Sequence, residues 1–258
     1  MSWNDPFEAG THSESRVNHG DLCNHYRWWS WLAYGQKIPK QFVNVGEKPV
    51  IVYTLEAFQN HPLVDAIEVV CLDGWEQALL AYARQYKIDK LKWVVKGGTS
   101  GQESIRNGVY NLEGKLSEDD ICIVHDGVRP MLDPEVITDV IRVAKSHGNA
   151  VTSMPYNEQI FIIDEEDPTT TTQYIPRETL RRVSTPQAYR FDLLDAKYHE
   201  AFEKGVGIDG SNYTNTMMVQ LGVRLNFAAG SDRNIKLTTP ENLEFFRAWA
   251  AEKEARDE

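Results

Sequence analysis

Five short segments of the 258-residue chain hold residue types suited to phosphates and metal-bound nucleotides. In Pro39-Lys40-Gln41-Phe42, a lysine after a proline-fixed turn can aim a compact charge at a phosphate; a solvated surface lysine is the plainer alternative. His125-Asp126-Gly127-Val128-Arg129-Pro130 follows an apolar run. There an acid can sit beside a metal–nucleotide complex, and an arginine can clamp an anion with two parallel hydrogen bonds. The same pair could instead serve only to order its own loop. Gly97 and Gly98 break the chain a few residues before Ser104, and Arg177 and Thr185 stand in a polar stretch further on. Near the end, Lys236 in Asn234-Ile235-Lys236-Leu237 leads into Thr239-Pro240-Glu241, a helix start with threonine as cap and proline in the first turn. Lys236 could face the same site as Lys40.

These segments lie between elements of regular period. Helices are expected over 49–58, 75–86, 102–112 and 134–147, the last with Ile137, Val140, Ile141 and Ala144 inward. Short β-branched strands are expected over 66–72, 91–95, 121–125 and 150–154. Strands alternating with helices imply an α/β fold with crossovers and a largely parallel sheet, whose ligands sit at the carboxyl ends of its strands. Residues 155–182, with Asp164-Glu165-Glu166-Asp167-Pro168 and four threonines, read as a hairpin arm held away from the body.

Composition narrows the function classes. A hydrophobic content of 41% and a charged content of 25% suit an ordinary soluble protein. A net charge of −11 argues against a nucleic-acid surface, whereas a triphosphate needs only a few local cations. Cys23, Cys71 and Cys122 form no paired motif; Cys71 and Cys122 read as buried free thiols, which leaves metal ligation by cysteine little support. Without a long apolar stretch or a signal-like start, a cytoplasmic protein that does not engage a membrane is expected.

The order of the segments resembles that of the cytidylyltransferases acting on 2-C-methyl-D-erythritol 4-phosphate and on ribitol 5-phosphate. The matching pieces are PKQF (39–42), GGTSGQES (97–104), HDGVRP (125–130), STPQ (184–187) and NIKLTTPE (234–241). The resemblance implies a Rossmann-like, mostly parallel (mixed) sheet flanked by helices, with a protruding β-arm that interlocks two subunits of a homodimer. It implies Mg²⁺-dependent transfer of CMP from CTP to a small alditol phosphate. By that pattern Lys40 and Lys236 stabilise the transition state, and Gly97, Gly98 and Ser104 lie near the nucleotide. Asp126 stands by the metal, and Arg129, Arg177 and Thr185 hold the acceptor phosphate. Methylerythritol phosphate is the first expectation for the acceptor, with ribitol 5-phosphate or another alditol phosphate as the alternative. Departures from the pattern at 157–159, at Gly101 and at Asn212-Tyr213-Thr214-Asn215 fall where the acceptor and the nucleotide periphery would lie. A catalytically impaired homologue that only binds, or an enzyme using UTP or GTP, are the rival readings.

Residues 1–35 do not fit the pattern. Related enzymes open with a glycine-rich phosphate loop of the form AGGxGxRMG, whose backbone amides cradle the triphosphate. This chain has Arg27-Trp28-Trp29-Ser30-Trp31-Leu32-Ala33-Tyr34-Gly35 there. Tryptophan has the single codon TGG; read one base later, every such codon encodes glycine. Trp28, Trp29 and Trp31 therefore become the Gly-Gly-x-Gly of the loop, and permitted codons supply the rest. The expectation is an aberrant leader over 1–35, joined by a frameshift near Gly35 and Gln36 to a nucleotidyltransferase domain over 36–258.

Overall fold

The computed structural model describes residues 38–209 and 213–257. The leader expected over 1–35, with Cys23 and the tryptophan-rich run, lies outside the described residues. The chain enters through a 3-10 turn, Lys40–Phe42, opened by Pro39, and a small antiparallel pair, β1 (Asn44–Val45) and β2 (Lys48–Pro49). Alternating elements follow: α1 (Val50–Gln59), β3 (Ile67–Cys71), α2 (Glu76–Gln85), β4 (Leu91–Lys96), α3 (Gly101–Asn111), β5 (Ile121–Val124), α4 (Pro134–His147) and β6 (Asn149–Pro155). Each lies within a few residues of its sequence expectation. The stops have local causes. Ser100 caps α3 by accepting a hydrogen bond from the Glu103 amide at 3.1 Å, and Gly148 ends α4 at φ 82°, a left-handed conformation that glycine adopts without strain.

After β6 the chain forms the expected arm. Strands β7 (Ile160–Ile162) and β8 (Gln173–Ile175) pair antiparallel as a hairpin, and β9 (Arg181–Arg190) carries the chain back. Then come α5 (Phe191–Lys204), α6 (Thr214–Gln220), β10 (Phe227–Ala229) and α7 (Pro240–Asp257), whose start at Thr239-Pro240 is where the capping pattern puts it.

The sheet is mixed, with a larger antiparallel share than the alternating pattern suggests. Its strands lie in the order β10-β6-β9-β5; β10 pairs parallel with β6, while β9 runs antiparallel to both β6 and β5. Strands β3 and β4 form a separate parallel pair among the described residues. The return from the arm explains the difference, because a chain that folds back through a hairpin re-enters beside its outgoing strand in the opposite direction.

Alternating residues of β5 and β9 face two apolar clusters. Ile121, Ile123 and Ala188 join one with α1, α2 and α4; Cys122, Val124 and Tyr189 join the other with α3, α5 and α6. Helices therefore cover both faces of the sheet; Cys71 at the end of β3 is a buried free thiol, and Cys122 in β5 is a free thiol that is half-buried. Helix α4 buries the four residues expected to face inward. Helix α1 has no single buried face: Val50 and Tyr53 pack toward α7, while Ile51, Val52, Leu55 and Phe58 pack toward the sheet. A helix held between two apolar clusters is buried nearly all round. Thr54 then donates to the Gly127 carbonyl at 3.1 Å, tying α1 to the Asp126 loop.

Candidate active site

The His125–Pro130 loop leaves the carboxyl end of β5, the position at which α/β sheets present ligand-binding loops. Asp126 is its centre. Its Oδ2 accepts from Arg129 Nε at 2.9 Å, its Oδ1 accepts from Lys236 Nζ at 3.2 Å, and its amide donates to Thr185 Oγ1 at 3.2 Å. Arg129 also donates to the Asn234 carbonyl at 2.9 Å, and the Asn234 side chain donates to the Thr185 carbonyl at 2.6 Å. Three distant pieces of chain are thus stitched together: the β5 loop, the middle of β9 and the extended segment before α7. Leu237 fixes the last by donating its amide to the Val128 carbonyl at 2.9 Å.

Lys40 belongs to the same electrostatic group. Burial, and next the charge of Lys236, push its ammonium down to about 8, with Asp126 pulling the other way. Each of these two lysines, from opposite ends of the chain, thus lies within reach of the other's charge. Burial alone would raise the Asp126 carboxyl, but Lys236 and Arg129 outweigh it and hold the group at about 2. His125, stacked edge-on against Phe58, is pushed down to about 4 by burial, so its imidazole is neutral at physiological pH.

The other expected residues fall in two places. Gly97, Gly98 and Ser104 form a group where β4 passes into α3. The Gly97 amide donates to the Cys71 carbonyl at 2.8 Å and the Gly98 amide to Ser104 Oγ at 3.0 Å. Gly98 must be small, since a Cβ there would lie 2.3 Å from Glu103 Cβ. Arg177 is in the arm, where it donates to the Asn157 carbonyl at 3.2 Å and pairs with Glu178. It is not among the charges gathered around Asp126.

Two contributors escaped the residue-level reading of the sequence. Asn234, although inside the NIKLTTPE segment, had no role assigned, yet it joins Arg129 to Thr185; a buried asparagine next to a helix-leading lysine is the available signal. Tyr213, whose ring centroid is 5.7 Å from Lys236 Nζ, entered the sequence reading only as part of the departure from the family pattern at 212–215, with no role of its own.

For a divalent metal the group offers the single carboxylate of Asp126, 28% exposed; the buried Oδ1 of Asn234, whose backbone carbonyl accepts from Arg129, lacks a hydrogen-bond donor. One carboxylate completed by substrate phosphates is an ordinary magnesium arrangement, so the residues fit such an ion. Glu113, Asp195 and His199, whose potential donor atoms lie within 4.8 Å of one another, form a separate group that excludes Asp126.

What this arrangement can do is neutralise anionic oxygens. Two lysines and an arginine around one carboxylate at a strand end suit an in-line displacement at phosphorus, where positioning and charge compensation supply most of the rate.

Residues 33–251 match the family model described as IspD, 2-C-methyl-D-erythritol 4-phosphate cytidylyltransferase. A ribitol-5-phosphate cytidylyltransferase of Lacticaseibacillus paracasei is 54% identical over 220 residues, covering 85% of this chain and 93% of that protein. A 2-C-methyl-D-erythritol 4-phosphate cytidylyltransferase of Geobacter metallireducens is 32% identical over 222 residues, covering 85% and 92%. Among solved structures, a crystal structure of 4-diphosphocytidyl-2C-methyl-D-erythritol synthase superposes with a TM-score of 0.68 at 25% identity, covering 81% of this chain and 93% of that one. Among the described residues no helix is long and apolar enough to cross a membrane.

Proposed function

This chain belongs to the IspD family of cytidylyltransferases, and on that premise we propose that it transfers CMP from CTP to ribitol 5-phosphate, releasing pyrophosphate. The observation that carries the transfer chemistry is the convergence of Lys40, Arg129 and Lys236 on Asp126. Support for the acceptor comes from the 54% identity to the Lacticaseibacillus enzyme, against 32% to the methylerythritol-phosphate enzyme of Geobacter. This reverses the order of acceptors expected from the sequence segments, where methylerythritol phosphate came first. Those segments resemble both kinds of enzyme alike, so they do not by themselves separate the two acceptors.

In this reading a phosphate oxygen of the acceptor attacks the α-phosphorus of CTP, and pyrophosphate leaves in line. Lys40 and Lys236 neutralise the charge that builds on the equatorial and leaving oxygens, and Arg129 and Thr185 hold the acceptor phosphate. Gly97, Gly98 and Ser104 border the cytosine. Asp126 would hold Mg²⁺ together with the nucleotide phosphates, the ion supplying further charge compensation when bound.

The arm makes a homodimer in this reading. Phe161, Ile163 and Tyr174 on the hairpin are 55%, 65% and 67% exposed, and an isolated two-stranded hairpin is marginal in water, so a second copy of the chain is a fitting cover.

The test is pyrophosphate release from CTP with ribitol 5-phosphate and, separately, with methylerythritol 4-phosphate. Faster turnover of the ribitol ester supports the proposal; preference for the methylerythritol ester would overturn it.

A further inference from the structure

Lys236 has an unusual mounting for a residue that must place a charge accurately. It belongs to neither a helix nor a strand among the described residues; it stands in an extended segment between Asn234 and the start of α7. Its side chain is only 20% exposed, and its direction is therefore set by its contacts rather than by a regular backbone. One contact is Asp126 Oδ1 at 3.2 Å. Another is the ring of Tyr213, with Nζ 5.7 Å from its centroid.

Tyr213 itself is firmly seated. It is the N-cap residue of α6; its amide donates to Thr216 Oγ1 at 2.7 Å, and that hydroxyl donates back to the Tyr213 carbonyl at 2.9 Å. The next residue, Thr214, is 2% exposed and shares a 2.7 Å hydrogen bond with the Tyr198 hydroxyl. Tyr198 donates to Gln102 Oε1 at 3.1 Å, and Gln102 Nε2 donates to the Gly207 carbonyl at 2.7 Å. A buried polar network spanning α3, α5 and α6 thus anchors the start of the helix that presents the ring. Fully satisfied networks of this kind rigidify what they hold.

We propose that Tyr213 is the positioning residue for Lys236, its ring face keeping the ammonium within reach of Asp126 and of the phosphates that arrive beside it. The inference rests on the cytidylyl-transfer reading for its consequence, but its geometry does not. A carboxylate contact is directional and uses the hydrogens of the ammonium. Attraction to the ring quadrupole is diffuse, and it leaves those hydrogens available to phosphate oxygens. The lysine can therefore turn from Asp126 toward a nucleotide without losing its anchorage. A cation–ring contact needs only the aromatic face, so phenylalanine should replace tyrosine and leucine should not.

The experiment compares the full-length protein with Tyr213→Phe and Tyr213→Leu, with Tyr213→Trp as a second ring-bearing variant. In ligand-free protein labelled with carbon-13 lysine, the ε-methylene signal of Lys236, assigned through Lys236→Arg, is expected upfield in the wild type and in the ring-bearing variants. It should move to the position of an ordinary lysine in Tyr213→Leu. In CMP transfer, kcat is expected to drop about 2- to 30-fold in Tyr213→Leu, the range of a cation–π contact, while KM for CTP changes little and Tyr213→Phe stays near wild type. Identical Lys236 signals in the leucine and phenylalanine variants would overturn the proposal, as would equal kcat values. Protein with the glycine loop restored that still transfers no CMP to any alditol phosphate would sink the functional reading instead, and the resonance comparison would still decide the contact.

Discussion

Lys236 Nζ lies 3.2 Å from Asp126 Oδ1 although 110 residues separate the two in the chain. Arg129 occupies the other oxygen of the same carboxylate at 2.9 Å. One acid thus organises two cations from unrelated segments, and the carboxyl is held at about 2 because they outweigh its burial. A nucleotide entering here meets cations already placed.

Removing either partner should therefore cost rate. Lys236→Ala and Asp126→Asn are each expected to lower kcat for CMP transfer by about 10²–10³, the usual loss when one preorganised electrostatic group is removed. Steady-state kinetics checks this, with circular dichroism confirming the fold. Turnover within about threefold of wild type in both would remove them from the machinery.

The depressed Lys40 ammonium gives a pH signature. With its value near 8 rather than the usual 10.5, Lys40 loses its charge as pH rises through 8 in the free enzyme. Because kcat/KM reports the free enzyme, kcat/KM for CTP should fall above about pH 8, and Lys40→Arg should move that descent upward. A profile that stays flat well beyond pH 8 would contradict a charged Lys40 in nucleotide capture.

His125 should make the fold acid-sensitive. Its folded value near 4 lies below the unfolded one of 6.5, so the unfolded chain takes up a proton first and stability falls as pH drops from 6.5 toward 4. Asp126, also depressed in the fold, adds a loss in the same direction below 3.8. Urea midpoints at neutral pH and at about pH 5 should differ in wild type and converge in His125→Gln. Equal wild-type midpoints would show that the imidazole is not held neutral.

The arm can be tested by mass. Ile163→Asp combined with Tyr174→Asp places charge on two residues that are 65% and 67% exposed on the hairpin. Light scattering after size exclusion is expected to show a dimer for wild type and a monomer for the double variant. A monomeric wild type, or a variant that still dimerises, would detach the arm from assembly.

The frameshift expected near Gly35 and Gln36 gives a prediction independent of the described residues. Restoring the glycine loop, with Trp28→Gly, Trp29→Gly and Trp31→Gly at its core, is expected to raise pyrophosphate release by on the order of 10²–10³ over the chain as written. Equal rates would mean that this segment does not need the loop.

The sequence by itself determined the alternating elements between 49 and 155 and most of the inventory of the site. Helix α4 and its inward residues Ile137, Val140, Ile141 and Ala144 follow from period alone, because amphipathicity is written locally along the chain. The segments holding Lys40, Asp126, Arg129, Thr185 and Lys236 were legible for the same reason: each is a short run of consecutive residues. Tertiary structure decided everything that depends on who meets whom. It ran β9 antiparallel between β6 and β5, buried α1 on nearly every side, and turned Arg177 to Asn157 and Glu178 rather than to Asp126. It also made Lys40 a weak base and set Tyr213 against Lys236. Strand pairing, desolvation and the field of a distant charge arise between groups far apart in the chain, and local pattern holds no record of them.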